Sequence, residues 1–148
     1  MLRMLDRIEG YWPEAGAAGL GQVRAVKDID PAEWFFKAHF FQDPVQPGSL
    51  GLEAMLQTLQ WYLLQQTGVD SIENPRFESI ALHRPHRWKY RGQVLPQHQR
   101  VHTTLEVTER GVDARGIYAI ADASLWVDGQ RIYEASGLGV RIVGESAE

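Results

Sequence analysis

The chain has 148 residues, the size of one domain, and we treat residues 1–148 as a single folded unit. An apolar fraction of 44%, with five Trp, five Tyr and five Phe, supplies a core and excludes disorder for most of the chain. The net charge of −4 argues against nucleic acid as a partner, and the absence of cysteine excludes disulfides and thiolate nucleophiles. No apolar run approaches the roughly 18 residues that a membrane span needs. Because the charged first residues also differ from a secretion signal, we expect a cytoplasmic protein.

The first elements in chain order are a strand, a short helix and a shaped loop. Alternation of apolar and polar residues predicts a strand over residues 22–27. Asp30 can cap a helix and Pro31 suits a first helical position, so we predict a short helix over residues 31–36. The sequence "HFFQDPVQPGS" follows, and its two prolines and its glycine exclude a continued helix.

One long helix is predicted from Ser49 to about Gln66, with Ser49 as the N-cap and Gly68 as the stop. Its apolar residues surround nearly the whole helix, and a helix of that kind is expected to be buried on most sides. These residues are Leu50, Leu52, Met55, Leu56, Leu59, Trp61, Tyr62, Leu63 and Leu64.

The second half of the chain has the patterns of strands. Residues 79–93 form a long extended candidate, and residues 100–109 alternate cleanly between apolar and polar. Two further apolar-rich runs, 116–127 and 131–143, meet at an Asp-Gly pair, which is a strong hairpin signal. Three or four antiparallel strands after one long helix predict an α+β fold, in which a curved sheet wraps the helix. We expect residues 144–148 to be a trailing tail.

Three polar residues interrupt the apolar surface of the long helix. Glu53, Gln57 and Gln60 follow the spacing of a single helical stripe. A carboxylate in apolar surroundings is costly to ionise, so Glu53 is a candidate general acid, and Gln57 one turn later can hold its orientation. In the alternative interpretation, Glu53 is a surface residue of the helix that meets an arginine.

The loop before this helix carries a candidate base. A neutral imidazole is a usable base near pH 7, and His39 stands at the start of the loop. The loop ends at Gly48 and Ser49, where the first N–H groups of the helix are free to stabilise a developing oxyanion. The alternative is a structural histidine beside Phe40 and Phe41. The conjunction of base, acid and N–H donors within a short stretch favours a catalytic site.

The sequence "HFFQDPVQPGSLGLEAMLQ" resembles the active-site signature of the bacterial β-hydroxyacyl-(acyl carrier protein) dehydratases of the hot-dog fold, the FabA/FabZ type. The segments "MLRMLDRIEG", "DPAEWFFKAHF", "KYRGQVLP" and "DGQRIYEASGL" are also similar to that family. The phrase "WFFKAHFFQDPVQPGSLGLEAM" further resembles dehydratase domains of polyunsaturated fatty acid and polyketide synthases. The chain could therefore be a single dehydratase domain of such a megasynthase.

The resemblance implies a reaction and a role for each residue of the signature. A 3-hydroxyacyl thioester on an acyl carrier protein would lose water to give a trans-2-enoyl thioester, with no cofactor beyond the carrier's phosphopantetheine. It also implies a homodimer in which each site takes its histidine and its acid from opposite subunits. The implied roles are base for His39, acid for Glu53, oxyanion donor for Gly48, imidazole orientation for Val45 and support of Glu53 for Gln57.

Other activities stay open at this point. Glu53 stands where the isomerising branch of the family typically has Asp, although "DPVQPGSLGLEAM" and "GQVLP" resemble that branch. The protein could therefore also isomerise the double bond. A different class of function is a non-catalytic hot-dog unit that dimerises or shapes an acyl pocket. The intact signature argues against it, because an inactive site has no physical need of a buried acid. Hot-dog thioesterases and coenzyme A hydratases are minor alternatives.

Three other groups of residues are candidates for a function. Basic side chains between positions 84 and 91 form a candidate docking patch for an acidic carrier protein, and the alternative is a solvated strand face. Neither histidine pair, 83 with 86 or 98 with 102, has a carboxylate or cysteine at a usual ligand spacing, so we expect no metal. Five aromatic residues near the signature could line an acyl tunnel or simply form core. The basic residues are Arg84, Arg87, Lys89 and Arg91, and the aromatic ones are Trp34, Phe35, Phe36, Phe40 and Phe41.

Overall fold

The computed structural model describes residues 2–78 and 84–144. It contains two helices and seven strands, with a single 3₁₀ turn at Val69–Ser71 after the long helix. In chain order they are β1 (Arg7–Trp12), β2 (Gln22–Asp28), α1 (Trp34–Ala38), α2 (Gly48–Leu64), β3 (Arg76–Phe77), β4 (Arg87–Tyr90), β5 (Arg100–Asp113), β6 (Gly116–Val127) and β7 (Gln130–Val143).

All seven strands belong to one antiparallel sheet in the order β1-β2-β5-β6-β7-β3, and β4 also pairs with β7. The three long strands β5, β6 and β7 form its centre, and α2 packs against β2, β5, β6 and β7. The predicted alternation in β5 is confirmed, since Val101, Thr103, Leu105 and Val107 are all buried toward the helix. The predicted α+β arrangement of one long helix against an antiparallel sheet is therefore present.

The hairpin between β6 and β7 turns at the predicted Asp-Gly pair. Asp128 has φ 47° and Gly129 has φ 87°, so both central residues adopt the left-handed conformation of a type I′ turn. The strand register runs from Val127 opposite Gln130 to Ile117 opposite Ile142. This hairpin builds the largest part of the surface on which α2 rests.

Helix α2 differs from the prediction at its start and in its burial. It begins at Gly48 rather than Ser49, because Pro47 has an extended conformation (φ −51°, ψ 132°) and its carbonyl accepts the Leu50 N–H at 3.0 Å. The helix ends at Leu64, and Gly68 follows with φ 92°. The predicted burial on most sides is present in part, because the sheet buries one broad face, most other residues are half-buried and only Ser49 and Leu64 are exposed. The buried residues are Leu50, Gly51, Ala54, Met55, Thr58, Leu59, Tyr62 and Leu63.

One other predicted boundary was wrong and one strand was missed, both for local reasons. The short helix α1 begins at Trp34 rather than Pro31, because the Asp30 side chain accepts the Ala32 N–H (2.8 Å) and its carbonyl accepts the Glu33 N–H (3.0 Å). Those bonds form a turn instead of a first helical turn. The N-terminal strand β1 was missed, because a bulge between Ile8 and Gly10 interrupts its alternation.

The second half of the chain has more strands than the three or four predicted. Within the extended candidate at residues 79–93, the described part forms the short strand β4, and residues 79–83 lie outside the described residues, as do residues 145–148 of the predicted tail. β3 and β4 both pair with β7, at its end and near its middle. Across the part of the chain that the structure describes, no helix has the length and apolar character to span a bilayer.

Candidate active site

The candidate base lies at the C-terminal end of α1. His39 is half-buried, and its Nδ1 lies 3.1 Å from the Val45 carbonyl oxygen. A carbonyl oxygen only accepts hydrogen bonds, so Nδ1 carries the proton. In the neutral imidazole this leaves the Nε2 lone pair free to accept a proton. The contact that the resemblance implied between Val45 and His39 is thus present in the structure.

The loop between His39 and α2 is held at one end and exposed at the other. Val45 and Gln46 are buried, and the Gln46 N–H donates to the Val94 carbonyl at 3.0 Å. Phe40 stacks on the His39 ring with centroids 4.0 Å apart, yet its own side chain is exposed, and Phe41 is 90% exposed. The base is therefore oriented by a short pinned segment that is flanked by solvent-facing aromatic rings.

The loop enters α2 at a close contact with strand β4. A Cβ atom on Gly48 would lie 2.9 Å from the Tyr90 ring and 3.4 Å from Trp88, so glycine lets the aromatic side chains approach the start of the helix. The first N–H groups of a helix have no intrahelical acceptor and lie at the positive end of its dipole. Gly48 is the first residue of this 17-residue helix, where an oxyanion donor would have to stand.

The candidate acid lies on the face of α2 that the sheet leaves uncovered. Glu53 is only half-buried in the single chain, so the prediction of a buried carboxylate was wrong for the single chain. The Gln57 Nε2 donates to Glu53 Oε1 at 2.9 Å, one helical turn away. Gln60, the third residue of the stripe, is also half-buried. The predicted contact between Gln57 and Glu53 is present.

No direct contact joins the base and the acid within the described part of one chain. His39 has the Val45 carbonyl and Phe40 as neighbours, whereas Glu53 has Gln57. Among residues 2–78 and 84–144, no hydrogen bond or ion pair joins His39 to Glu53. The candidate base and the candidate acid are therefore organised separately in the chain.

An aromatic group beside the helix start was not recognised in the sequence. Tyr133 on β7 lies with its ring centroid 4.9 Å from Tyr90 and 5.6 Å from Trp88. Its ring packs on Gly51, where a Cβ atom would come within 2.1 Å. Burial, with Tyr90 alongside, raises the pKa of the Tyr133 phenol above its usual range, and its hydroxyl has no hydrogen-bond partner of ordinary geometry in the described ranges. Alternation in "RWKYR" could have indicated that Trp88 and Tyr90 share a face.

The predicted basic patch divides into paired and unpaired residues. Arg84 forms an ion pair with Glu109, and Arg91 lies 3.1 Å from Glu134. Arg87 and Lys89 have no ion pair with any acidic group that the structure describes. They face the side of β4 opposite Trp88 and Tyr90, and they line a cavity of about 580 Å³ on the outer face of the sheet. Its other lining residues include Arg24 and three acidic residues, Glu106, Asp122 and Glu134.

The remaining candidates have structural surroundings. Phe35 and Phe36 are core residues, whereas Trp34 is exposed. His98 accepts the Leu95 N–H, and His102 lies 3.4 Å from Glu9. His83 lies outside the described residues. Within the described ranges no group of three His, Cys, Asp or Glu side chains converges as a metal site would require.

Comparison with known proteins places the chain in a family. The model of the FabA-like domain matches residues 1–136, so the chain belongs to the FabA-like family. Among curated proteins it is 36% identical, over 99% of its length, to one subunit of the polyunsaturated fatty acid synthase of Thraustochytrium sp. (strain ATCC 26185 / S-3). The chain spans 10% of the length of that relative.

Solved structures with low sequence identity share the fold. The structure of AziG from S. sahachiroi matches with a TM-score of 0.60 and 9% identity, covering 94% of this chain and 91% of that one. The thioesterase PA1618 from Pseudomonas aeruginosa matches with a TM-score of 0.58 and 12% identity, covering 93% and 80%. The expected hot-dog fold, a curled antiparallel sheet around a long helix, is confirmed.

Proposed function

We propose that this protein dehydrates (3R)-3-hydroxyacyl thioesters carried on an acyl carrier protein to trans-2-enoyl thioesters, in fatty acid or polyketide biosynthesis. The observation that carries the proposal is the imidazole of His39, whose Nδ1 is committed to the Val45 carbonyl. Membership of the FabA-like family and the likeness to a polyunsaturated fatty acid synthase support the reaction class. The likeness to a thioesterase supports the fold alone.

Each residue of the signature has a step in this reaction. His39 Nε2 removes the α-proton of the acyl chain, and the Gly48 N–H stabilises the negative charge that develops on the thioester carbonyl oxygen. Glu53 donates a proton to the β-hydroxyl, the carbon–oxygen bond breaks and water leaves. The α-carbon electron pair then forms the new double bond, so atoms and charge balance. Gln57 holds the Glu53 carboxyl by the bond at 2.9 Å.

A complete site requires a second copy of the chain. The base and the acid share no contact within the described part of one chain, and the face of α2 that carries Glu53 is not covered by the sheet. We therefore propose a homodimer in which His39 of one subunit faces Glu53 of its partner. A hot-dog unit of a megasynthase, suggested by the synthase relative, would obtain the same arrangement from a second unit.

The substrate would arrive on the phosphopantetheine arm of an acidic carrier protein, and the enzyme needs no cofactor of its own. Arg87 and Lys89 are the basic residues of the patch that are not paired with an acid in the described ranges. Unpaired cations attract an acidic partner more strongly than cations whose charge is already neutralised. We propose that these two residues, rather than Arg84 and Arg91, carry most of the docking.

The experiment that tests this function separates dehydration from hydrolysis. Wild-type protein is incubated with 3-hydroxyacyl thioesters of carrier protein and of coenzyme A, and enoyl absorbance and free thiol are followed together. We expect enoyl product without thiol release. Thiol release without enoyl product would indicate a thioesterase, and a folded dimer that is inactive in both assays would indicate a non-catalytic acyl-binding unit. A product with a shifted double bond would add isomerase activity to the dehydratase.

A further inference from the structure

The amide of Gln57 contacts more than the carboxyl group of Glu53. Its Oε1 accepts the backbone N–H of Met4 at 2.8 Å. Its Nε2 donates to Glu53 Oε1 at 2.9 Å and to the backbone carbonyl of Leu2 at 3.0 Å. The amide thus links the candidate acid to a backbone segment that is more than fifty residues from Gln57 in sequence.

This segment, Leu2–Met4, is held in place independently of Gln57 at its Met4 end. The Met4 side chain is 2% exposed and belongs to the hydrophobic core. Two residues later, the Asp6 N–H donates to the Val26 carbonyl at 2.7 Å, and the chain enters β1. The Met4 N–H that meets Gln57 is therefore fixed by core packing and by the nearby sheet, whereas the side chain of Leu2 is exposed.

The hydrogen bonds of the segment determine which way the Gln57 amide faces. A carbonyl oxygen only accepts and an NH₂ group only donates. Rotating the amide by half a turn would place Nε2 against the Met4 N–H and Oε1 against both the Leu2 carbonyl and Glu53. Because the rotated state opposes donor to donor and acceptor to acceptor, the segment permits only the state in which an N–H faces Glu53.

We propose that Leu2–Met4 is a positioning element for the acid, acting through Gln57. With its N–H donated to Glu53 Oε1, the amide leaves Oε2 as the oxygen that carries the acidic proton and faces the substrate hydroxyl. In a protonated carboxyl group the oxygen without hydrogen is the better acceptor, so the bond to Oε1 keeps the proton on Oε2. The inference rests on the proposed dehydratase function.

A double-mutant cycle on the full chain tests this coupling. Met4→Pro removes the N–H that Gln57 accepts, and Met4→Leu changes the side chain while retaining the N–H. We expect Met4→Pro to lower kcat about tenfold below Met4→Leu, with little change in KM, because the lost bond orients an ionisable group. In a Gln57→Ala background the two variants should differ by less than about twofold, since the coupling residue is absent. An equal loss in both backgrounds would overturn the proposal, because proline would then act through packing.

A second measurement keeps the proposal testable even where Met4→Pro does not fold. Hydrogen exchange of glutamine side-chain amides is followed by NMR in the unchanged protein. The Gln57 amide should exchange at least about tenfold more slowly than the amide of Gln60, which is half-buried on the same helix and whose side chain makes no hydrogen bond in the described part of the chain. Fast exchange in an active enzyme overturns the positioning proposal alone. Slow exchange in a protein that dehydrates no 3-hydroxyacyl thioester overturns the proposed function, and with it the role assigned to the segment.

Discussion

The two halves of the candidate site are built in different ways. His39 belongs to an irregular loop, where one hydrogen bond to Val45 orients the ring and the neighbouring Phe41 is exposed. Glu53 belongs to a helix packed on four strands, and its partner Gln57 is tied to the N-terminal segment. The acid half therefore inherits the rigidity of the core. Substitutions in the base half should therefore have little effect on the stability of the fold.

The largest expected effect comes from supplying the two halves on different chains. Single variants His39→Ala and Glu53→Gln should each be nearly inactive as homodimers. Unfolding and refolding them together should restore about a quarter of wild-type activity, because half of the dimers are mixed and each mixed dimer has one intact site. Each variant refolded alone is the control. Mixed dimers that form without any recovery of activity would contradict a shared site.

Substitution of two glycines of α2 by alanine compares the rigidity of the helix face on the core with that of the helix start beside the loop. Gly51→Ala places a Cβ 2.1 Å from the ring of the buried Tyr133, so we expect it to lower the free energy of unfolding by about 2 kcal/mol. Gly48→Ala meets Tyr90 at 2.9 Å, but that ring is 44% exposed and can turn away. Its cost should stay below about 1 kcal/mol by urea denaturation. Equal costs would mean that the loop side is as rigid as the core.

An ion pair distant from both halves of the candidate site should contribute to the stability of the fold and not to activity. Its contribution should be present only above acidic pH. Arg141 donates to Glu78 at 2.8 Å, and together with the charge of Arg115 this bond holds the pKa of that carboxyl below its usual range. A lowered folded-state pKa contributes stability above the unfolded pKa, which is lost as pH falls through the folded pKa. Arg141→Gln should therefore cost about 1 kcal/mol at pH 7 and less below about pH 4.

The control for this prediction is Arg131→Gln, whose guanidinium lies at the surface beside Glu134. Its cost should be small and the same at both pH values, because exposed pairs contribute little and its contact with the Trp126 ring does not titrate. A cost for Arg141→Gln that stays constant down to about pH 3, well below the usual carboxyl pKa, would show that packing rather than charge is lost.

The smallest expected effect concerns the outer face of the sheet, away from both halves. Charge reversal at Arg87 and Lys89 should raise KM for carrier-bound substrate about threefold and leave a short pantetheine thioester unaffected, because in the proposed docking only the carrier contacts the patch. Arg84→Gln is the matched control, since that residue is already paired with Glu109. Equal changes in KM for the two substrates would reject the docking role.

Local patterns in the sequence predicted the centre of the fold well. Strict alternation predicted β5, and the Asp128-Gly129 pair predicted the turn between β6 and β7. The strand β1 was not predictable in this way, because its bulge at Gly10 breaks the period of two. The extent of burial of α2 was predicted only roughly, since apolar residues all round a helix do not tell which of them the sheet buries fully and which stay half-buried.

The contacts of the candidate site were predictable only where they are local. Glu53 and Gln57 are one helical turn apart, and His39 and Val45 bracket one short loop. The bond between Met4 and Gln57 joins residues 53 positions apart and has no sequence signal. The pairing of Arg84 with Glu109 likewise depends on how distant segments meet in the fold. The sequence alone therefore could not distinguish the paired from the unpaired residues among the four basic ones of the patch.

The measurement that tests the central claim most directly is the rate of enoyl formation from a 3-hydroxyacyl thioester by wild type, His39→Ala and Glu53→Gln. We expect an active wild type and losses of at least about 100-fold in both variants, as removal of a general base or acid entails. Their unfolding midpoints should stay close to that of the wild type, because neither side chain belongs to the hydrophobic core. Dehydration that survives either substitution would contradict the assignment of base and acid.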